Sequence, residues 1–247
     1  ASAAPDPILA LFASGEQGGY YRPSKRDTTF QLSDGTTAAN DTDPLGFITD
    51  TTSNANNATQ PNAAMRPKLN EDGGLWFWRP DGTDDALNAD NLGDLATGNK
   101  LWSAYVAVDI TAGDEGMIWS FSQTVGSDGF HALRLSSGNV ESQRFSADGI
   151  SDRKVLATSP TGKQVIGIEY DGTDTRYYMN GAFVSSDTQV RDLATMNAFT
   201  FNKLRWQGSA TTLPNATDIY AALVREGNFN ATERAIVTTA LAESIGL

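Results

Sequence analysis

From Gly74 onward the chain repeats one pattern: a short run rich in Trp, Tyr, Phe, Val and Ile, then a cluster of turn residues. That pattern restricts the chain to packed β-structure, because each run is too short for a helix and carries the residues that suit a pleated surface. Leu101 to Ile110 is the clearest run. Trp102, Ala104, Val106, Val108 and Ile110 fall on one face of a strand, while Ser103 and Asp109 fall on the other. Trp76–Arg79, Met117–Ser122, Phe130–Leu135, Val140–Phe145, Gln164–Tyr170, Arg176–Asn180, Phe199–Trp206 and Asp218–Glu226 read as further strands. Asp171-Gly172-Thr173-Asp174 and Asn180-Gly181 supply hairpin turns.

One helix interrupts the β pattern, at the C-terminal end. Asn230 is placed to cap it and Glu233, three residues on, completes a capping box. Good helix formers follow, Gly246 stops the run, and the expected span is 231–245. A stripe through Ile236, Val237, Ala240 and Leu241 should dock on a sheet.

Residues 1–70 differ from the rest. Asn, Thr, Asp and Ala dominate from Thr36 to Ala64, including Thr51-Thr52-Ser53-Asn54-Ala55-Asn56-Asn57. This reads as an extended N-terminal arm, packed on the domain or on a neighbour, with Phe12, Tyr20, Tyr21, Phe30, Leu45, Phe47 and Ile48 as anchors. The domain proper is expected at 71–247. The fold class that follows is all-β, a two-sheet sandwich with a long N-terminal arm and one short C-terminal helix.

Charge narrows the function. The net charge is −12, and Lys and Arg are scattered. Nucleic-acid binding needs a basic stripe to displace counterions, so no nucleic-acid partner is expected. No run of about 18 apolar residues is present, so no membrane insertion is expected either. Ala1 to Ala10 lacks the basic start and long apolar core of a signal peptide. Cysteine is absent, which removes disulfides and thiol chemistry.

The segment Leu11-Phe12-Ala13-Ser14-Gly15-Glu16-Gln17-Gly18-Gly19-Tyr20-Tyr21, followed by Pro23-Ser24, resembles the start of lectin-like virion proteins of tailed phages and prophages. Thr29-Phe30-Gln31, Asp34-Gly35-Thr36-Thr37, Asp43-Pro44-Leu45-Gly46, Asn57-Ala58-Thr59-Gln60 and Ala63-Ala64-Met65-Arg66-Pro67 are similar to the same group. Asp81-Gly82-Thr83-Asp84-Asp85-Ala86-Leu87 resembles a signature of concanavalin A-like and laminin-G-like jelly rolls, as do Tyr170–Gly181 and the closing 230–247. Thr51 to Asn56 departs from the pattern common among relatives. The resemblance implies a jelly-roll, lectin-like domain on the surface of a phage particle, as a fibre, spike or head-decoration subunit. It implies other virion proteins and a host cell-surface glycan as partners, and a symmetric homo-oligomer.

Some relatives on this fold are glucanases, with Glu-x-Asp-x-x-Glu on one strand; retaining hydrolysis needs two carboxyls about 5 Å apart. Here the nearest match is Glu169-Tyr170-Asp171-Gly172-Thr173-Asp174, which ends on Asp and is broken by Gly172-Thr173. No catalytic residue is therefore assigned, and a polysaccharide-degrading enzyme or a bacterial secreted lectin module stands as the alternative. His131, the one histidine, reads as an ordinary strand residue. Asp81, Asp84 and Asp85 offer hard oxygen ligands for a structural calcium ion, with loop capping as the competing role. For sugar binding, Trp206 and Gln207 border a polar loop, and Tyr20 and Tyr21 come next; the other tryptophans read as core.

Overall fold

The structure is a computed structural model that describes residues 6–123, 129–146, 151–188, 196–206, 209–211 and 215–247. Two antiparallel sheets face each other. One has eight strands, ordered Ala182–Asp187, Thr175–Met179, Gly162–Tyr170, Trp102–Ile110, Asp218–Glu226, Leu75–Arg79 and Lys68–Asp72, with Gly18–Tyr21 also pairing to Asp218–Glu226. The other has nine, ordered Ser151–Thr158, Asn139–Ser146, Gly129–Ser136, Gly116–Ser122, Ala198–Phe201, Leu87–Asn88, Ala58–Thr59, Phe47–Ile48 and Thr29–Phe30. The all-β jelly-roll sandwich with one C-terminal helix, expected from the sequence, is the fold observed.

The alternation in Trp102–Ile110 does what its period requires. Trp102, Ala104, Val106, Val108 and Ile110 all enter the core between the sheets. There Trp102 meets Trp119, Phe121 and Tyr170, and Trp78 meets Phe201. The opposite face is buried as well, because Tyr105 and Ala107 lie in a second core with Ile8, Leu11, Phe12, Tyr178 and Leu223. A sheet covered on both faces explains why this strand is apolar nearly throughout.

The helix Ala231–Ser244 covers that second core. Asn230 Oδ1 accepts from the Thr232 and Glu233 amides at 2.9 and 3.0 Å, and Glu233 Oε2 accepts from the Asn230 amide at 2.9 Å. Such a cap is worth about 1 kcal/mol. Val237 and Leu241 are fully buried, with Ile236 and Ala240 packed at the margin. The helix ends one residue earlier than expected because Ile245 leaves the helical conformation as its C-cap.

Residues 6–70 are woven into the sandwich. They contribute Gly18–Tyr21 to the eight-stranded sheet and three short strands to the nine-stranded one. Gly18 is needed where it sits, since a Cβ there would lie 2.2 Å from the Val224 carbonyl oxygen. The Asn- and Thr-rich run 51–57 is ordered by one buried carboxylate. Asp50 Oδ1 accepts from the Tyr20 and Thr52 amides, and its Oδ2 accepts from Thr52 Oγ1 and the Asn56 amide, all at 2.8–3.0 Å. Asn56 Nδ2 then donates to the Gly18 carbonyl at 2.8 Å.

Phe199–Trp206, expected as one strand, is two, Ala198–Phe201 and Leu204–Trp206. Asn202 takes a positive φ of 63° between them while its Oδ1 accepts from the Trp78 indole. Among the described residues, no helix is long and apolar enough to cross a membrane.

Candidate functional site

The strands Gly116–Ser122, Gly129–Ser136, Asn139–Ser146 and Ser151–Thr158 send alternate residues outward, away from the core. Phe130, Ala132 and Arg134 leave the second of these, paired in register with Phe145, Gln143 and Glu141 of the third. Ser151, Arg153 and Val155 lie opposite Phe145, Gln143 and Glu141 on the fourth. This outer face therefore has two halves. Met117, Phe130, Ala132 and Leu204 form an apolar cluster with Phe145 at its margin. The Phe130 and Phe145 rings stack within 6° of parallel, 5.8 Å apart.

The other half is polar and largely buried. Arg134 Nη1 donates to Gln143 Oε1 at 2.7 Å, and Gln143 Nε2 donates to Ser151 Oγ at 3.3 Å. Arg134 Nε and Glu141 Oε2 face each other at 3.6 Å, which is an ion pair but too long for a hydrogen bond. Both atoms are buried, and among the described residues neither has a hydrogen-bond partner. Burial, and after it the nearby Arg153 guanidinium, push the Arg134 pKa below its ordinary value, with Glu141 opposing. Leaving such groups unpaired costs about 1–3 kcal/mol each, more when charged. The arrangement sets a donor and an acceptor side by side, both buried, next to an aromatic stack.

A second polar cluster lies inside the sandwich. His131 Nε2 and Ser142 Oγ are 2.9 Å apart, and the imidazole packs edge-on against Trp102. Burial first, then the Arg144 charge, holds the His131 pKa well below the usual histidine value. Arg144 ties the two sheets together by donating to Asp152, Asp187 and Thr175 at 2.9, 2.6 and 3.1 Å. His131 is thus a neutral core residue with a structural neighbour.

The residues singled out by sequence fare differently. Tyr20 and Tyr21 are corrected: both side chains are buried, Tyr20 under the N-terminal segment and Tyr21 against Phe201. They cannot present a ring to a sugar. Trp206 sits in a short hairpin, with Leu204–Trp206 paired to Ser209–Thr211. Its side chain and Gln207 lie outside the described residues. Asp81, Asp84 and Asp85 do converge, with one carboxylate oxygen of each within 4.8 Å of the others. Part of that convergence is loop capping. Asp81 Oδ1 accepts from the Thr83 and Asp84 amides, and Asp85 Oδ2 accepts from the Asp81 amide. Burial, and then Asp81 and Asp84 as like charges, push the Asp85 pKa up to about 6 against the Asp81 amide bond and the Lys68 charge.

Glu169, the first carboxylate of the glucanase-like match, is sealed beneath the C-terminal helix. Arg234 grips it with Nε to Oε1 at 2.9 Å and Nη2 to Oε2 at 3.0 Å, and Tyr105 donates to Oε1 at 2.6 Å. Asp171 closes the following hairpin by accepting from the Thr173 and Asp174 amides. Sequence reading missed Arg134, Glu141, Gln143 and Arg153. Their signal was weak: Arg134 alternates with Leu133 and Leu135 but shares its face with Phe130 and Ala132, and Glu141 and Gln143 alternate with Val140, Ser142 and Arg144, which are not an apolar set.

No family model and no curated protein matches this chain. Solved structures do. The binding domain of Paraclostridial Mosquitocidal Protein 1 aligns with a TM-score of 0.59 at 10% identity, over 78% of this chain and 49% of that one. The NanB sialidase from Streptococcus pneumoniae, as its K499G mutant, aligns with a TM-score of 0.54 at 12% identity, over 66% of this chain and 27% of that one. The fold is a jelly-roll sandwich. This chain spans about half of the toxin chain and about a quarter of the sialidase chain, and at such identities the likeness is one of fold.

Proposed function

We propose that this chain is a non-enzymatic surface protein of a phage particle, a fibre, spike or decoration subunit, whose lectin-like domain binds a host cell-surface glycan. The outer face of the nine-stranded sheet is the binding face in this reading. The observation that carries it is the buried pair Arg134 Nε and Glu141 Oε2, each without a hydrogen-bond partner among the described residues. A sugar hydroxyl both donates and accepts, so one ring seated beside the exposed Arg153 can satisfy both atoms when the half-buried Arg134 side chain swings toward it, with the ring's apolar side toward the half-buried Phe145. Sialylated glycans are the first probes to try, because a carboxylate would meet Arg134 and Arg153 and because a sialidase shares the fold.

The virion setting is supported by the ordered resemblance from Leu11 to the C-terminal helix, with other capsid or tail proteins as partners. The non-enzymatic reading is supported by the use of Glu169 to hold the helix. A glycan array with the purified chain tests binding, and particles lacking the protein test the setting. Particles that assemble yet no longer adsorb to cells support the receptor role. Particles that adsorb normally but burst on heating assign decoration instead, and release of reducing ends from a capsule would restore the enzyme alternative.

A further inference from the structure

The turn Asn180-Gly181 joins Thr175–Met179 to Ala182–Asp187 and is the one Asn-Gly pair in the chain. Both residues take positive φ, 50° and 80°, as a tight two-residue hairpin turn requires. That geometry alone does not call for Asn. Ser137-Gly138 turns the hairpin between Gly129–Ser136 and Asn139–Ser146 with φ of 51° and 76°. Asn180 has a further task. Its backbone amide donates to the Val165 carbonyl at 2.8 Å, and its Oδ1 accepts from the Val165 amide at 2.8 Å. A side-chain oxygen thus stands in for a backbone carbonyl and carries the ladder one residue past the Ile166–Met179 pair. Asn180 Nδ2 donates to Gln164 Oε1, also at 2.8 Å. The C-terminal helix lies against the turn, since a Cβ on Gly181 would stand 3.1 Å from Thr238 Cγ2.

We propose that Asn180 is a latent site of isoaspartate formation, held shut by the native turn and open to reaction whenever this hairpin leaves the strand Gly162–Tyr170. Asn is a thermolabile residue, and a following Gly has no Cβ to shield the nitrogen that attacks it. In the reaction the Gly181 nitrogen bonds to Asn180 Cγ and gives up its proton, and Nδ2 departs as ammonia. Water then opens the cyclic imide at either carbonyl. One opening gives Asp. The other gives isoaspartate, whose main chain runs through Cβ and Cγ and is one atom longer. In the folded chain the carboxamide is tied at both atoms, to Val165 and to Gln164, so ring closure waits for those bonds to break. Isoaspartate moves the free carboxylate onto Cα and so removes the oxygen that the Val165 amide uses. The longer main chain also fails to fit a two-residue turn. A brief opening of the hairpin is thereby made permanent. The turn belongs to the eight-stranded sheet, so this inference does not depend on the glycan reading of the other sheet.

The test compares the full chain folded and unfolded. Both samples are held at mildly alkaline pH, one in buffer and one in guanidinium chloride, and digests are scored by mass spectrometry for conversion at residue 180. Asn180→Asp marks where the Asp product elutes, so the isoaspartate product is read separately. Conversion should be slower by about tenfold or more in the folded chain, because its rate is scaled by the fraction of time the hairpin is open. In guanidinium, residue 180 should convert ahead of the other Asn residues, and Gly181→Ala should slow it. A converted chain returned to buffer should exchange the Val165 amide hydrogen faster than a parent chain refolded at once. Equal rates in the folded and unfolded chains overturn the proposal. So does an unfolded chain in which residue 180 converts no faster than its other Asn residues. A converted chain that protects Val165 as the parent does also overturns it, because the opening would not then be permanent.

Discussion

The outer faces of the two sheets each carry an Arg–Glu pair, and the two pairs are built in opposite ways. On the eight-stranded sheet Glu169 is fully buried, gripped by two nitrogens of Arg234, bonded to Tyr105 and roofed by the helix. The Arg234 guanidinium also lies 4.3 Å from the Tyr178 ring centroid, a cation–π contact. On the nine-stranded sheet Glu141 and Arg134 stand 3.6 Å apart, with Oε2 and Nε unbonded among the described residues. The first pair has every oxygen of its carboxylate satisfied from within the chain. The second keeps a donor and an acceptor in reserve. The same two residue types on the same kind of surface thus serve cohesion in one place and, in the function proposed above, recognition in the other.

The largest expected effect comes from opening the closed pair. Glu169→Ala leaves Arg234 and Tyr105 facing a void and should cost about 3–5 kcal/mol, as removal of one partner from a buried ion pair does. Urea unfolding followed by tryptophan fluorescence measures it. A loss below about 1 kcal/mol would mean that the helix is held by its apolar stripe alone, and the contrast between the faces would collapse.

Asp85 is another buried carboxylate, and it has no ion-pair partner among the described residues. Its pKa is pushed up to about 6 by burial and by Asp81 and Asp84, against 3.8 in the unfolded chain. The folded state therefore holds a proton that the unfolded state has released between these two values. Stability from this group is present below pH 3.8 and is lost as the pH rises through about 6. Asp85→Asn, which keeps an acceptor for the Asp81 amide, should abolish that loss and gain roughly 1–2 kcal/mol over the parent at neutral pH. Comparing the two chains across pH cancels the opposite, acid-side contribution of His131. Calcium on the three carboxylates would neutralise Asp85 and raise the melting temperature. With loop capping alone, neither calcium nor a chelator moves it.

Much of this fold was legible because periodicity is local. The face of Trp102–Ile110 and the Asn230 capping box follow from spacing alone, and both are found as read. The Asp50 loop was not legible. Its order depends on Tyr20 and Gly18, 30 and 38 residues from the groups they bond, and nothing in the run 51–57 announces those partners. Tyr20 and Tyr21 misled for the same reason, since a Tyr-Tyr-Arg string looks exposed until Gly18–Tyr21 is seen paired to Asp218–Glu226. The candidate site was partly legible. Arg134, Glu141 and Gln143 sit at the right period for one face, but their meeting depends on the register of Gly129–Ser136 with Asn139–Ser146.

The sharpest form of the comparison applies one substitution to both faces. Glu169→Gln removes charge from a carboxylate whose hydrogen bonds are complete, so it weakens the Arg234 grip and leaves a buried guanidinium without its anion. Glu141→Gln removes charge from a carboxylate whose Oε2 has no hydrogen bond among the described residues. Its stability should change by less than about 1 kcal/mol in either direction, because the desolvation relieved offsets the attraction lost at 3.6 Å. Binding should respond in the reverse order. Glu141→Gln and Arg134→Gln should each weaken glycan affinity by about tenfold or more, roughly 1.4 kcal/mol, while Glu169→Gln leaves it unchanged in the folded fraction. Titration of each variant with a glycan that binds the parent chain reads this out. Equal affinity for parent and Glu141→Gln would show that the unbonded oxygen faces no ligand, and the open pair would then be a packing defect that the sandwich tolerates.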